Sequence, residues 1–172
     1  MEFLLKKVKS GDKQSLETFV KEMEKRLYII ARARLMNEAD AKDATQETLI
    51  KIYTRINQLK NMESIMPWVT KILINECNNI LKTCKKIEFS YDGFEMDKYL
   101  KDDEYIEIED NYNFFELISH LDIEERTILS MYYSDDYTTK EISEILKINE
   151  NTIRTKIKRA KLKIKKKFEE EN

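Results

Sequence analysis

The side chains with the most chemical leverage lie near the end of the chain. From Thr152 to Lys167 every charged residue is basic: Arg154, Lys156, Lys158, Arg159, Lys161, Lys163, Lys165, Lys166 and Lys167. Ile153, Ile157, Ala160 and Ile164 recur among them at helical spacing, so one stripe can be buried while cations cover the rest. Just ahead, Thr138 and Glu141 are spaced as a capping box for a short helix whose apolar stripe is Ile142, Ile145 and Leu146. Asn149-Glu150-Asn151 breaks that run, and Asn149 is placed to cap the cationic helix. A capped helix, a tight turn and a cationic helix form a helix-turn-helix, whose second helix suits the major groove of DNA. Lysine-rich helices also lie on membranes, but the apolar stripe here holds no Trp, Phe or Leu, which interfacial binding needs.

A second side chain able to read a base is Asn75, since an amide offers both a donor and an acceptor to a base edge. On the preceding helix, Asp43, Gln46, Glu47 and Ile50 are three to four residues apart and share one outward face, with Asp40 one turn earlier. Two carboxylates and an amide on one face suit a basic protein surface.

Catalytic arrangements are missing from this picture. No Ser/His/Asp, His/Cys or phosphate-loop pattern occurs, and the chain is expected to be neither an enzyme nor the holder of a cofactor. With one histidine, His120, and two cysteines, no zinc site is expected. Cys77 and Cys84 lie seven residues apart on one expected helix, about 10 Å along its axis, too far for a disulfide within the helix. Both are expected as small core fillers.

The elements that position these groups are helical. Only two glycines and one proline occur in 172 residues, with 41% hydrophobic and 37% charged side chains, which leaves little to build hairpin turns. The fold class expected is all-α, with two small helical domains joined by an acidic flexible linker. Apolar periodicity predicts a helix from Leu16 through Phe19, Val20, Met23, Leu27 and Ile30 to Ala31. A second runs from about Asp40 to Gln58, with Ala41, Ala44, Leu49, Ile52 and Ile56 inward. A third runs from near Ser64 to about Cys84, with Pro67 in its first turn and Trp68, Val69, Ile72, Leu73, Ile80 and Leu81 on its apolar face. Helical periodicity returns at Phe114, Phe115, Leu117, Ile118 and Leu121. Asp122 and Glu125 then cap a helix bearing Ile128, Leu129, Tyr132 and Tyr133.

Charge divides the chain the same way. Residues 1–86 hold 17 basic and 11 acidic side chains, residues 87–112 hold 2 and 10, and residues 113–172 hold 12 of each. The domains expected are therefore 1–86 and 113–172, with 87–112 as the acidic linker. Ten acids there fit either a solvated tether, a mimic of nucleic acid, or a segment that folds back on the basic helix. No run approaches twenty apolar residues and Phe3-Leu4-Leu5 is too short for a signal peptide core, so a cytoplasmic chain without membrane insertion is expected.

Three segments taken in order resemble one known family. Asp40-Ala41-Lys42-Asp43-Ala44-Thr45-Gln46-Glu47-Thr48-Leu49 is similar to the Asp-Ala-x-Asp-x-x-Gln-Glu-x-Phe segment of bacterial extracytoplasmic-function (ECF) sigma factors. Trp68-Val69-x-x-Ile72-Leu73-x-Asn75 resembles that family's Trp-Leu-x-x-Ile-Ala-x-Asn, and Thr139 to Lys156 resembles its second DNA-binding domain. The resemblance spans nearly the whole chain except the linker. It implies a dissociable subunit that gives RNA polymerase core its promoter specificity and opens the strands. Asp40, Asp43, Gln46, Glu47 and Ile50 would then meet the β′ clamp helices, with the β subunit as a further contact. Asn75, Asn79 and Lys82 would touch the melted minus-ten element, with Asn75 at a pocket for a flipped base. Arg154, Thr155, Lys158 and Arg159 would contact bases or phosphates at the minus-thirty-five element, while Asn151, Thr152 and Lys156 hold the DNA backbone. The family also implies an anti-sigma partner. Departures are Asn79 and Lys82 where the family has Asp and Arg, Ser143 for Ala, and Lys147 where the turn often carries Gly. The competing function is a stand-alone helix-turn-helix regulator whose N-terminal helices sense a ligand or dimerise, binding a palindrome without core polymerase.

Overall fold

The computed structural model describes residues 2–56, 65–90, 109–134 and 137–171. Among them only helices and short turns occur: α1 (Glu2–Lys9), α2 (Lys13–Leu35), α3 (Glu38–Arg55), α4 (Ile65–Ser90), α5 (Glu109–Ile118), α6 (Ile123–Ser134), α7 (Thr139–Leu146) and α8 (Glu150–Glu171). Local side chains set most of the boundaries. The Ser15 amide donates to Asp12 Oδ2 at 3.0 Å to start α2, and the Asp40 amide donates to Asn37 Oδ1 at 2.9 Å to start α3. Helix α2 ends where Met36 turns left-handed at φ 54° and its N–H reaches the Arg32 carbonyl. The Asp122 and Glu125 pair caps α6, the Glu125 amide donating to Asp122 Oδ1 at 2.8 Å. The Thr138–Glu141 capping box of α7 is formed in both directions.

Helix α2 is the hub, packing on α1, α3, α4 and α6. Its fully buried Phe19, Met23, Leu27 and Ile30 meet Ile52 of α3 and Leu73 of α4 in one core. That same core continues into the C-terminal helices through Ile118, Ile128, Leu129, Met131 and Ile142. Burying each such side chain contributes about 1.5–3 kcal/mol, so the continuous core supplies the main cohesion.

Three expectations change. Helix α1 was not anticipated from the sequence, although Leu4 and Val8 stand four residues apart on one face, Val8 buried and Leu4 half-buried against the core. Helix α4 continues past Cys84 to Ser90 and α5 begins at Glu109, so both ends of the expected linker are helical; residues 91–108 lie outside the described residues. Cys84 is exposed and only Cys77 fills the core, because Lys82, Thr83 and Cys84 are all exposed where α4 runs beyond its neighbours. Burial pushes the Cys77 thiol up to about 12, which keeps it protonated and inert.

Between α7 and α8, Lys147 takes φ 57°, ψ 40°, and the Ile148 amide donates to the Ser143 carbonyl at 3.2 Å. A lysine in this left-handed position is strained by its Cβ. Lys147→Gly is therefore expected to raise stability by about 0.5–1 kcal/mol in urea unfolding, with the helical content unchanged.

Candidate nucleic-acid interface

Helix α8 shows how burial sorts a uniformly cationic sequence. Ile153, Ile157 and Ala160 are buried against α6 and α7, so Asn151, Thr155, Lys158 and Leu162 step along the opposite, solvent-facing side. Arg159 and Thr152 are exposed beside them. The flanks behave differently. Lys156 Nζ turns back to Glu124 Oε2 at 3.0 Å and lies 4.0 Å from Asp122 Oδ2, at the start of α6. The Glu124 bond raises the Lys156 pKa, keeping it charged. Lys163 Nζ donates to both oxygens of Glu125, each at 2.7 Å, and Glu125 is only 3% exposed. Lys156, expected to hold the DNA backbone, and Lys163 therefore pair with acids of α6.

The Asp122 carboxyl belongs to the same cluster. Burial raises its pKa, but the Glu125 amide, Lys156 and Lys163 more than offset this and hold it below the usual value. On the other flank, Arg154 Nη2 donates to Glu150 Oε1 at 2.7 Å, and the same oxygen accepts from the Thr139 hydroxyl at 2.7 Å. Those bonds, Thr139's first, lower the Glu150 pKa. The turn is thus tied to both helices of the motif, and Arg154 stands at the edge of the outward face rather than its centre. The Asn151 amide donates to Asn149 Oδ1 at 2.9 Å, completing the helix cap.

Helix α4 carries a second exposed face. Asn75, Asn79 and Lys82 lie at intervals of four and three, all exposed, with exposed Lys71 one turn before them. Half-buried Trp68 opens this face and packs on the core with its other edge. Lys71 was not singled out from the sequence, though its position four residues before Asn75 was the available signal. The neighbouring Asn78 is not free for a ligand, because Arg34 Nη2 donates to its Oδ1 at 2.7 Å.

On α3, Asp43, Gln46, Glu47 and Ile50 lie on the outward side, and Asp40 is half-buried in the first turn. Ile50 is 57% and Tyr53 63% exposed, so an apolar strip runs between the carboxylates. Tyr53 was missed from the sequence, although it continues the spacing from Ile50. A mixed acidic and apolar strip of this kind fits a helical protein partner better than DNA. A further apolar groove lies between α6 and the end of α8, lined by Tyr133, Lys161, Ile164, Lys165 and Phe168. Among the described residues no group of His, Cys, Asp and Glu is arranged to hold a metal, and no helix is long and apolar enough to cross a membrane.

Family comparison gives these faces a context. The Sigma-70 region 2 model matches residues 19–86 and the Sigma-70, region 4 model matches residues 113–164. RNA polymerase sigma factor SigV of Bacillus subtilis is 30% identical over 162 residues, covering 90% of this chain and 91% of that protein. The chain belongs to the ECF sigma factors. ECF RNA polymerase sigma factor SigW of Bacillus subtilis is 26% identical over 183 residues, covering 96% of this chain and 97% of its own. Two solved structures share the fold. Sigma factor RpoE, in complex with the anti-sigma factor NepR from Bartonella quintana, gives a TM-score of 0.73 at 16% identity, covering 87% of this chain and 94% of its own. CnrH, in complex with the cytosolic domain of CnrY, gives 0.68 at 14%, covering 99% and 97%. The function of this sigma factor is to direct promoter recognition, strand opening and transcription initiation, and its family is not an enzyme family.

Because Glu125 is buried and Lys163 is its charge partner, Lys163→Ala leaves a carboxylate without compensation. The expected loss is about 1–3 kcal/mol in urea unfolding, larger than for Lys158→Ala, whose cation has no such partner role.

Proposed function

We propose that the three exposed faces divide the work of initiation between them. The α3 strip of Asp43, Gln46, Glu47 and Ile50, extended by Asp40 and Tyr53, docks on the β′ clamp helices of core polymerase. Its exposed apolar residues would supply burial, and its carboxylates would supply orientation and on-rate against a basic surface. The groove at Tyr133, Ile164 and Phe168 offers the β subunit a second hold. In this scheme, residues 1–86 and 113–172 act as separate DNA-contacting domains and residues 87–112 as their connector.

The α4 face contacts the melted minus-ten strand. Asn75 supplies the amide that pairs with an extruded base, Asn79 extends the polar row, and Lys82 and Lys71 meet phosphates. At the minus-thirty-five element, α8 enters the major groove with Asn151, Thr155, Lys158 and Arg159 forward, while Arg154 reads from the edge. Glu150 holds Nη2 of Arg154 at 2.7 Å, so that acid competes with a phosphate or base for part of the guanidinium fork. Lys156 supports the helix from behind. The chain catalyses no reaction itself, acts in the cytoplasm, and is held in check by an anti-sigma protein, a reading supported by RpoE, which is solved in a complex of that kind.

The observation carrying this reading is the order and exposure of three separate faces on one chain that covers 91% and 97% of two sigma-factor relatives. Asp43→Ala with Gln46→Ala is expected to abolish binding to core polymerase while the helical circular dichroism spectrum stays intact. Retained nanomolar binding would contradict the docking face. Arg154→Ala is expected to cost about 1–3 kcal/mol of promoter affinity and to relax preference at one base pair in run-off transcription.

A further inference from the structure

Two described residues other than glycine take a left-handed backbone, Met36 at φ 54° and Lys147 at φ 57°. Met36 closes α2 and is half-buried, so packing of its side chain offsets the strain. Lys147 is exposed, and its side chain makes no hydrogen bond or ion pair among the described residues. The nearby Glu150 is already taken, its Oε1 accepting from Thr139 and Arg154 at 2.7 Å each. A cation near a helix C-terminus does gain from the dipole. That gain needs no left-handed lysine, because a base one turn earlier has it in relaxed backbone, and there α7 carries Glu144 and no base. Nothing within the fold therefore accounts for a lysine at this turn.

The other cations of the motif sort by partner. Arg154 is held by Glu150, Lys156 by Glu124 and Lys163 by Glu125, while Lys161 Nζ lies 5.2 Å from the Tyr133 ring centre. Lys147 groups instead with Lys158 and Arg159, exposed and without a partner among the described residues. Position decides what such a cation can meet. Lys147 stands three residues before Glu150, the first residue of α8, so its Cα lies within about 11 Å of that helix start even if the chain were extended. An α-helix with its side chains is about 10–12 Å across, and the major groove is about 12 Å wide. Once the first turn of α8 is in the groove, the helix fills it. The segment leading into the helix then lies over a groove wall, which is a row of phosphates.

We propose that Lys147 is a phosphate-contacting residue of the helix-turn-helix, gripping the DNA backbone at the lip of the groove that α8 enters. The proposal rests on the α8 reading given above and adds a contact from outside that helix. It also accounts for the strained residue: glycine would relax the turn but leave that phosphate without a cation. Stability of the free chain and affinity for the promoter are then opposite effects of one side chain.

The test titrates holoenzyme, assembled from core polymerase and the full chain, onto a promoter duplex over a range of salt concentrations. Lys147→Gly is expected to raise the urea midpoint of the free chain yet weaken promoter binding about three- to tenfold near ~0.1 M salt, and to lower the magnitude of the slope of log K against log salt by about 0.9. Lys147→Gln keeps the left-handed Cβ and removes only the charge, so it is expected to match Lys147→Gly in slope, whereas Lys147→Arg keeps the wild-type slope. Lys158→Ala is the control for the α8 reading. A wild-type slope for the Gly and Gln variants, with a reduced slope for Lys158→Ala, overturns the Lys147 contact alone. A wild-type slope for all three overturns the α8 reading, and the contact with it. A difference in slope between the Gly and Gln variants assigns the effect to the backbone and likewise overturns the contact.

Discussion

The orientation of α8 rests on the seam it makes with α6 and α7, and the reading of its surface depends on that seam. Nine cations in sixteen residues carry no directional information by themselves. Direction comes from burying Ile153, Ile157 and Ala160, and from the Lys163–Glu125 and Lys156–Glu124 pairs that pin one flank. A buried carboxylate tolerates no rotation of α8 that would separate it from its lysine. The outward row of Asn151, Thr155, Lys158 and Leu162 is the remaining side. Cations paired to α6 hold the helix in place, and the outward ones are those proposed to meet phosphate.

The N-terminal half applies the same logic with weaker charges. The buried stripe of α4 through Val69, Leu73 and Cys77 leaves Asn75, Asn79 and Lys82 outward, and Lys51 to Glu76 at 2.6 Å ties α3 to α4. This pair adds to the apolar packing between the helix proposed to dock on polymerase and the helix proposed to touch the open strand. Displacing one should therefore be felt at the other. At the junction of the halves, α2 lends its carbonyls to Arg126, so a helix terminus of one unit is completed by a side chain of the other. Such mutual completion adds polar bonds to the continuous apolar core that joins the two halves.

Much of this was legible in the sequence wherever a helix has one buried side and a local cap. The Thr138–Glu141 box, the Asn149 cap and the stripes of α2, α3, α4 and α8 all arise from residues within a few positions of each other. What was not legible depends on neighbours distant in the chain. The pairing of Lys156 with Glu124 shows only once α6 is placed beside α8, and Cys84 reads as core until Lys82, Thr83 and Cys84 are seen to be exposed. Arg34 and Arg126 carried no sequence signal, because the Arg34–Thr127 and Arg126–Ala33 bonds each join positions 93 apart. Ile50 and Tyr53 could be placed on the polar face of α3 by spacing, but only a structure shows that nothing in the chain's described residues covers them.

In the proposed reading one chain grips two promoter elements at once, positioned by the polymerase. Hydroxyl-radical footprinting of promoter DNA with core enzyme and this chain tests it most directly. Two protected patches, centred about 25 base pairs apart and roughly 85 Å along the duplex, are expected only when both proteins are present. A palindromic footprint made by the chain alone, unchanged by core enzyme, would overturn the two-element grip.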